Sequence, residues 1–202
     1  MKKLTASISL VSIIVVGLSI FALLIIFYLP YRPARHEAIN EVMEVLKGSH
    51  VGVSGGSFRV DNLYISHVVE NVPQSQLVIA AYDQVDSHTV ARCFTMRYVT
   101  KNLILGTRNY SAPGGCQTKS DGSLPITFHE NYERGTYALA GIVTDETVAF
   151  VQASWSDGTI ETVSVDNDIF LFFHQYDDMN IDSIVGLDAQ MHLLKSTQIQ
   201  ID

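Results

Sequence analysis

Positive charge is scarce and dispersed in this chain. Thirteen Lys and Arg stand against 21 Asp and Glu, and four of the basic residues, Lys2, Lys3, Arg32 and Arg35, flank one hydrophobic run. The 167 residues beyond position 35 keep nine basic and all 21 acidic residues, a formal charge of −12. No Lys/Arg cluster exists to neutralise phosphates, which excludes nucleic acid as a partner. Cysteine is almost absent: Cys93 and Cys116 are the only two, they form no Cys-x-x-Cys pair, and no closely spaced His accompanies either, which argues against zinc. The seven histidines, His36, His50, His67, His88, His129, His174 and His192, show neither H-x-H nor H-E-x-x-H spacing. No cysteine follows the hydrophobic run, which closes the lipoprotein route. No glutamate interrupts it, which disfavours a pilin-type stem, and it holds no Gly-x-x-x-Gly face for helix pairing.

What the chain does have is that run. Leu4 to Leu29 comprises 26 residues without a charge, and as a helix it would extend roughly 39 Å against a hydrocarbon core of about 30 Å. It is long enough to span a bilayer. A cleaved secretory signal would have an apolar region of about 7–15 residues followed by a small-x-small site, whereas this run ends in Tyr28-Leu29-Pro30-Tyr31. An uncleaved anchor is the better reading. Lys2 and Lys3 before the run favour a cytoplasmic N-terminus and an extracytoplasmic C-terminal domain by the positive-inside tendency, with Arg32 and Arg35 reducing the bias. The expected organisation is a cytosolic stub at 1–3, a transmembrane helix at 4–29, a juxtamembrane segment with a short helix at 30–50, and an extracytoplasmic β-domain at 51–202. An exported compartment would let Cys93 and Cys116 form a disulfide.

From His36 to Lys47 the residues Ile39, Val42, Met43 and Leu46 recur at helical spacing, with Glu37, Glu41 and Glu44 on other sides and Gly48 as the stop. This predicts a short amphipathic helix packed on the domain. Beyond Val51 the period becomes that of strands: Phe58 to Ile65, Leu77 to Tyr82, Thr89 to Val99, Tyr137 to Thr144, Val148 to Trp155, Ile160 to Val165, Ile169 to Phe173, Ile181 to Leu187 and Met191 to Leu194. Asn109 to Leu124, rich in Gly, Ser, Pro and Asp, reads as a loop. Ser156-Asp157-Gly158-Thr159 and Asp166-Asn167-Asp168 read as turns. The expected fold is mainly β: an N-terminal transmembrane helix, a short amphipathic helix, then an antiparallel β-sandwich or small barrel.

Trp155-Ser156-Asp157-Gly158-Thr159, Val163 and Val165, the Ile169–Phe173 block, and Gly186-Leu187-Asp188-Ala189-Gln190 leading into Leu193-Leu194 together resemble a β-rich module of exported, membrane-anchored proteins of Gram-positive Firmicutes. The resemblance covers residues 137–195, and Met191 stands where that pattern has glycine. It implies an exported location and a β-fold, and no activity.

Several residue groups invite chemistry. Gly52-Val53-Ser54-Gly55-Gly56 fits the G-x-S-x-G nucleophile elbow, but a strand pattern follows where that motif needs a helix, so a Gly/Ser turn is the better reading. Asp177, Asp178, Asn180 and Asp182 bring oxygen ligands close together, as calcium requires, with Asp166 or Asp168 as helpers. Counted from Asp178, however, Ser183 and Ala189 replace the Gly and Glu of an EF-hand, leaving a looser site or a solvated acidic turn. No other cofactor is indicated. Trp155 beside a turn would stack on a ligand or plug the core.

The sequence thus points to a single-pass, membrane-anchored extracytoplasmic protein, a non-catalytic binding or envelope-assembly module that meets the membrane and either a protein partner or a second copy of itself. The competing readings are an extracytoplasmic hydrolase with a loop-built Asp/His site, and a signalling accessory acting through its transmembrane helix.

Overall fold

The computed structural model of the chain describes residues 2–48, 58–87, 89–118, 126–133, 135–175 and 180–200. Among these are two helices and eleven strands. The hydrophobic run forms α1 (Lys2–Tyr28). Its side chains are described over residues 12–25, and every one is exposed, Ile13 at 66% and Phe21 at 61% among them. Among the residues so described, no helix is long and apolar enough to cross a membrane. After Pro30 the backbone of Tyr31 pairs with that of Lys101 through two hydrogen bonds of 2.9 Å, tying the end of α1 to the β-structure.

The amphipathic segment forms α2 (Arg35–Gly48). Glu37 starts it, since its carboxylate accepts the Ala34 backbone N–H at 3.1 Å, a capping-box contact from the third helical position. The buried stripe is Ala38, Val42 and Leu46. Small Ala38 lets the helix approach closely, so the inward face is rotated from the expected Ile39-Val42-Met43-Leu46 face, and Ile39 and Met43 sit half-buried at its flank.

Three antiparallel sheets follow. β1 (Arg59–Val69), β2 (Gln76–Val85), β3 (Val90–Asn102) and β4 (Gly106–Thr118) form a meander in that order. β5 (Ile126–Glu133), β6 (Thr136–Val143) and β9 (Ile169–His174) form the second sheet. The third runs β11 (Leu193–Gln200), β10 (Ile181–Leu187), β7 (Phe150–Trp155) and β8 (Ile160–Ser164). The second sheet is the middle layer. On β6, Tyr137, Leu139 and Val143 pack with Val151, Ala153 and Trp155 of the third sheet, while Ala138, Ala140 and Ile142 pack with Leu77, Ile79 and Met96 of the first. The period-2 alternation therefore feeds two cores at once, and all eight residues of β6 are buried. Each fully buried Leu or Phe here contributes about 2–3 kcal/mol of apolar burial, so this strand is the centre of stability. α2 covers the other face of the first sheet, against Val78, Ala80 and Val99.

Each sheet has open ends in its strand order, so the expected antiparallel β-sandwich or small barrel takes the form of a stack of three sheets with one helix outside. The expected loop at 109–124 is corrected over 109–118: β4 runs through it. Its Gly and Pro fit because β4 is an edge strand, and because Ala112 and Pro113 form a bulge opposite Met96, where Pro113 forfeits no ladder bond. Gly114 is required just after it, since a Cβ there would overlap the Phe94 carbonyl oxygen. The closing strand begins at Leu193, not Met191; Met191 instead takes a left-handed backbone, φ 65°, which glycine would adopt without strain. Cys93 and Cys116 are opposite one another on β3 and β4 and form a disulfide.

His67 on β1 is half-buried, with Nδ1 2.8 Å from Ser66 Oγ. Burial holds its imidazole below the ordinary 6.5, with the Asp166 carboxylate opposing the shift. The unfolded chain therefore takes up a proton at a higher pH than the native one does. Stability is full above about pH 6.5 and falls as the pH drops from there toward the folded-state pKa. Melting curves between pH 7.5 and 5 should show this decline, and His67→Gln should flatten it; an unchanged slope would remove His67 as a cause.

A cleft around Arg92

One end of the first sheet carries a cleft of about 680 Å³ lined by Asn62, Tyr64, Asp83, Val90, Arg92 and Asp168. Asp83 and Arg92 are direct cross-strand partners on β2 and β3. Arg92 Nη1 lies 3.0 Å from Asp83 Oδ1, and Nη2 donates to the Tyr64 hydroxyl at 2.8 Å. The other Asp83 oxygen accepts from Asn62 Nδ2 at 2.6 Å. The Tyr64 hydroxyl in turn donates to the Asn167 carbonyl, and Asp168 Oδ2 lies 3.9 Å from Arg92 Nε. The guanidinium also sits 5.0 Å from the Tyr64 ring centroid, within cation–π range.

Two backbone devices build this arrangement. Between Asp61 and Tyr64 the β1–β2 register slips by one residue, and Asn62 takes a left-handed conformation, φ 48°, so the bulge turns its amide onto Asp83. Between β8 and β9, Asn167 and Asp168 have φ 48° and 70°. These are the paired left-handed positions of a type I′ turn, closed by reciprocal hydrogen bonds between Asp166 and Ile169. Five non-glycine residues among those described have positive φ. Three of them meet at this cleft, two as the positions a type I′ turn requires and one, Asn62, in the β1 bulge.

The electrostatics define what can bind. Both Nη groups of Arg92 are engaged, by Asp83 and Tyr64, while its buried Nε has no hydrogen-bond partner, the Asp168 carboxylate standing 3.9 Å away. One guanidinium between two carboxylates leaves the lining with a charge of −1. Asp168 is 47% exposed and faces the opening as a hydrogen-bond acceptor, beside the exposed apolar Val90. Burial raises the Tyr64 phenol above its ordinary value against the pull of Arg92, which keeps it a neutral donor. The cleft suits a cationic or hydroxyl-rich group with an apolar stem. Among the described residues its lining holds no Ser, Cys or His, and its acid–base groups are Asp83, Asp168 and Tyr64.

Of the residues singled out in the sequence and described in the structure, Asp168 lines this cleft. Asp177 and Asp178 lie outside the described residues. Asn180 is exposed and bonded through its backbone to Ser156 at 2.9 Å, and Asp182 is exposed on β10. Among the described residues no group of three or more His, Cys, Asp or Glu could hold a metal ion. Asp168, a proposed helper for calcium, faces Arg92 instead. The Gly52–Gly56 elbow is also outside the described residues; a strand follows it. Trp155 is core, 1% exposed, edge-on to Tyr137 at 5.5 Å, Phe172 at 5.8 Å and His174 at 4.9 Å. His174 Nε2 is 2.9 Å from Glu161 Oε2, within ion-pair distance but not aligned as a hydrogen bond. Sequence reasoning missed Arg92, Asp83, Tyr64 and Asn62. The available signal was that Asp83 and Arg92 stand at matching distances from the β2–β3 turn, which is visible only once Val85 is paired with Val90.

Comparison with protein-family models, with curated proteins and with solved structures found no match to this chain.

Proposed function

We propose that this chain is a single-pass membrane protein with a cytoplasmic N-terminus, whose β-domain works outside the cytoplasm as a non-catalytic binding or envelope-assembly module. The observation that carries this reading is α1. Its 26-residue uncharged stretch has exposed side chains throughout residues 12–25, whereas α2 and the sheets bury their apolar faces. A helix of that composition needs an apolar medium. The Cys93–Cys116 disulfide supports an oxidising compartment for the domain. The Arg92 cleft is the binding site in this reading. Lys101, the residue tied to the end of α1, is nine positions beyond Arg92 along β3, which sets the cleft about 30 Å from that end. The domain would present a mildly acidic site away from the membrane, to a basic or hydroxyl-rich group on a protein partner or envelope polymer.

Alkaline carbonate extraction should leave the protein in the membrane pellet, and protease added to intact cells should remove the C-terminal domain. Release into the supernatant would refute the anchor, and complete protection would reverse the topology. A photocrosslinking residue at Val90 should capture a discrete partner in intact membranes, and Arg92→Met should abolish the adduct; capture unaffected by Arg92→Met would separate the partner from the cleft.

A further inference from the structure

We propose that the turn between β3 and β4 is a second membrane contact: Leu103, Ile104 and Leu105 enter the outer surface of the bilayer that α1 crosses. The inference rests on the anchor reading and adds a site to it. These three consecutive residues form the tip of the hairpin and are 62%, 52% and 56% exposed. The turn does not itself demand them. Asn102 opens it, with Oδ1 accepting the backbone N–H of Ile104 at 3.0 Å and of Leu105 at 3.2 Å, and Gly106, φ 70°, supplies the left-handed position that closes it. Three large apolar side chains in water at a loop tip are a standing cost without a structural return in the domain.

Their position says what covers them. Lys101, one residue before Asn102, is backbone-paired to Tyr31, and Tyr31 is two residues beyond Leu29, where the uncharged run ends. Two residues reach at most about 7 Å, and the tip begins two residues beyond Lys101, a further reach of about 7 Å, so the tip is a near neighbour of the outer end of α1. Leu29 and Tyr31 at that end are themselves exposed, at 52% and 36%. The surroundings match the headgroup layer, where Tyr, Lys and Arg gather. Lys101 Nζ is paired with Glu37 and lies 5.8 Å from the Tyr31 ring centroid, and Arg32 donates to the Glu70 carbonyl at 2.7 Å. Pairing Lys101 with Glu37 leaves no net charge at the base of the tip. The Asn102 contacts also satisfy two backbone N–H groups that would otherwise face lipid unpaired, which insertion requires. The hairpin and α1 together would give the domain two points of support and fix its tilt, holding the Arg92 end of β3 outward.

The test uses the full chain in nanodiscs loaded with one copy each, which removes a second copy as the covering surface. Ile104→Trp and, separately, Leu103→Trp report on the tip, and Val90→Trp at the opposite end of β3 is the control. Trp155, buried in the core, adds the same background to all three. With lipids brominated near the headgroup, tip emission should be blue-shifted and fall by about half, the shallow depth expected of an interfacial segment, while the Val90→Trp signal stays constant. Water-like tip emission quenched by aqueous iodide, or a blue shift insensitive to brominated lipid, would overturn the proposal, the latter indicating a protein cover. Failure of the chain to incorporate into discs would defeat the anchor reading and this inference together; incorporation without tip quenching would defeat this inference alone.

Discussion

Gly141→Ala should destabilise the domain by about 3 kcal/mol, the upper end of ordinary overpacking, and lower its melting temperature by roughly 6–12 °C. Gly141 lies at the middle of β6, paired on one side with Phe128 of β5 and on the other with Phe170 of β9. The Phe170 ring occupies the space where a side chain would stand. A Cβ there would overlap the Thr127 carbonyl oxygen and lie 2.5 Å from the Phe170 ring carbons. One of those neighbours is backbone and cannot move without disturbing the β5–β6 ladder. The other is a fully buried ring in the core between the second and third sheets. Gly141→Ala combined with Phe170→Leu should recover part of the loss, because the ring clash goes and the backbone clash stays. Gly48→Ala, at the end of α2 where a Cβ meets nothing within 4 Å, should be close to neutral. Calorimetry of the four proteins decides the matter; a Gly141→Ala loss no larger than that of Gly48→Ala would show that the layer can expand.

Removing the disulfide with the double substitution Cys93→Ala, Cys116→Ala should cost about 3 kcal/mol, as expected for the loop it closes in the unfolded chain, a separation of 23 residues. The consequence should be largest at β4. That strand is at the edge of its sheet, is interrupted by Pro113, and contains Gly114 and Gly115, whose backbone gives up much entropy on ordering. Hydrogen exchange should therefore report loss of protection in β4 before β2 or β3, together with a fall in melting temperature of roughly 6–12 °C. The same pattern should appear on reduction of the wild-type protein. A melting temperature unchanged by reduction would mean that the β3–β4 ladder alone holds the edge.

Much of the secondary structure was legible because its periods are clean. Ile181–Leu187 matches the expected strand at both ends, and Ile160–Ser164 and Ile169–His174 lie within a residue of it. The errors share a cause. Asn109 to Thr118 reads as loop because Gly and Pro are poor strand formers, yet the disulfide, the bulge and the edge position make a strand of it. Ile126–Glu133 gives no strong signal by itself, and it becomes β5 through pairing with β6. The cleft was illegible for a different reason. Its lining comes from β1, β2, β3 and the β8–β9 turn, up to 106 positions apart in the chain, and no local pattern links Asn62 to Asp168. The Leu103-Ile104-Leu105 tip was open to reading, as three apolar residues between two strands, but its meaning depends on the Tyr31–Lys101 pairing.

The sequence by itself determined the uncharged 26-residue run, the acidic excess beyond it, the single possible disulfide and the predominance of strands. These are properties of composition and short-range periodicity, and no tertiary contact is needed to state them. Only the tertiary structure decided that β6 is buried on both faces, that the strands stack as three layers, that Arg92 is shared among Asp83, Tyr64 and Asp168, and that the β3–β4 turn stands beside the end of α1. Each of those depends on which distant segments pair and in what register. A one-residue slip turns every side chain of a strand to the opposite face, so the local pattern permits several arrangements and the packed cores select one.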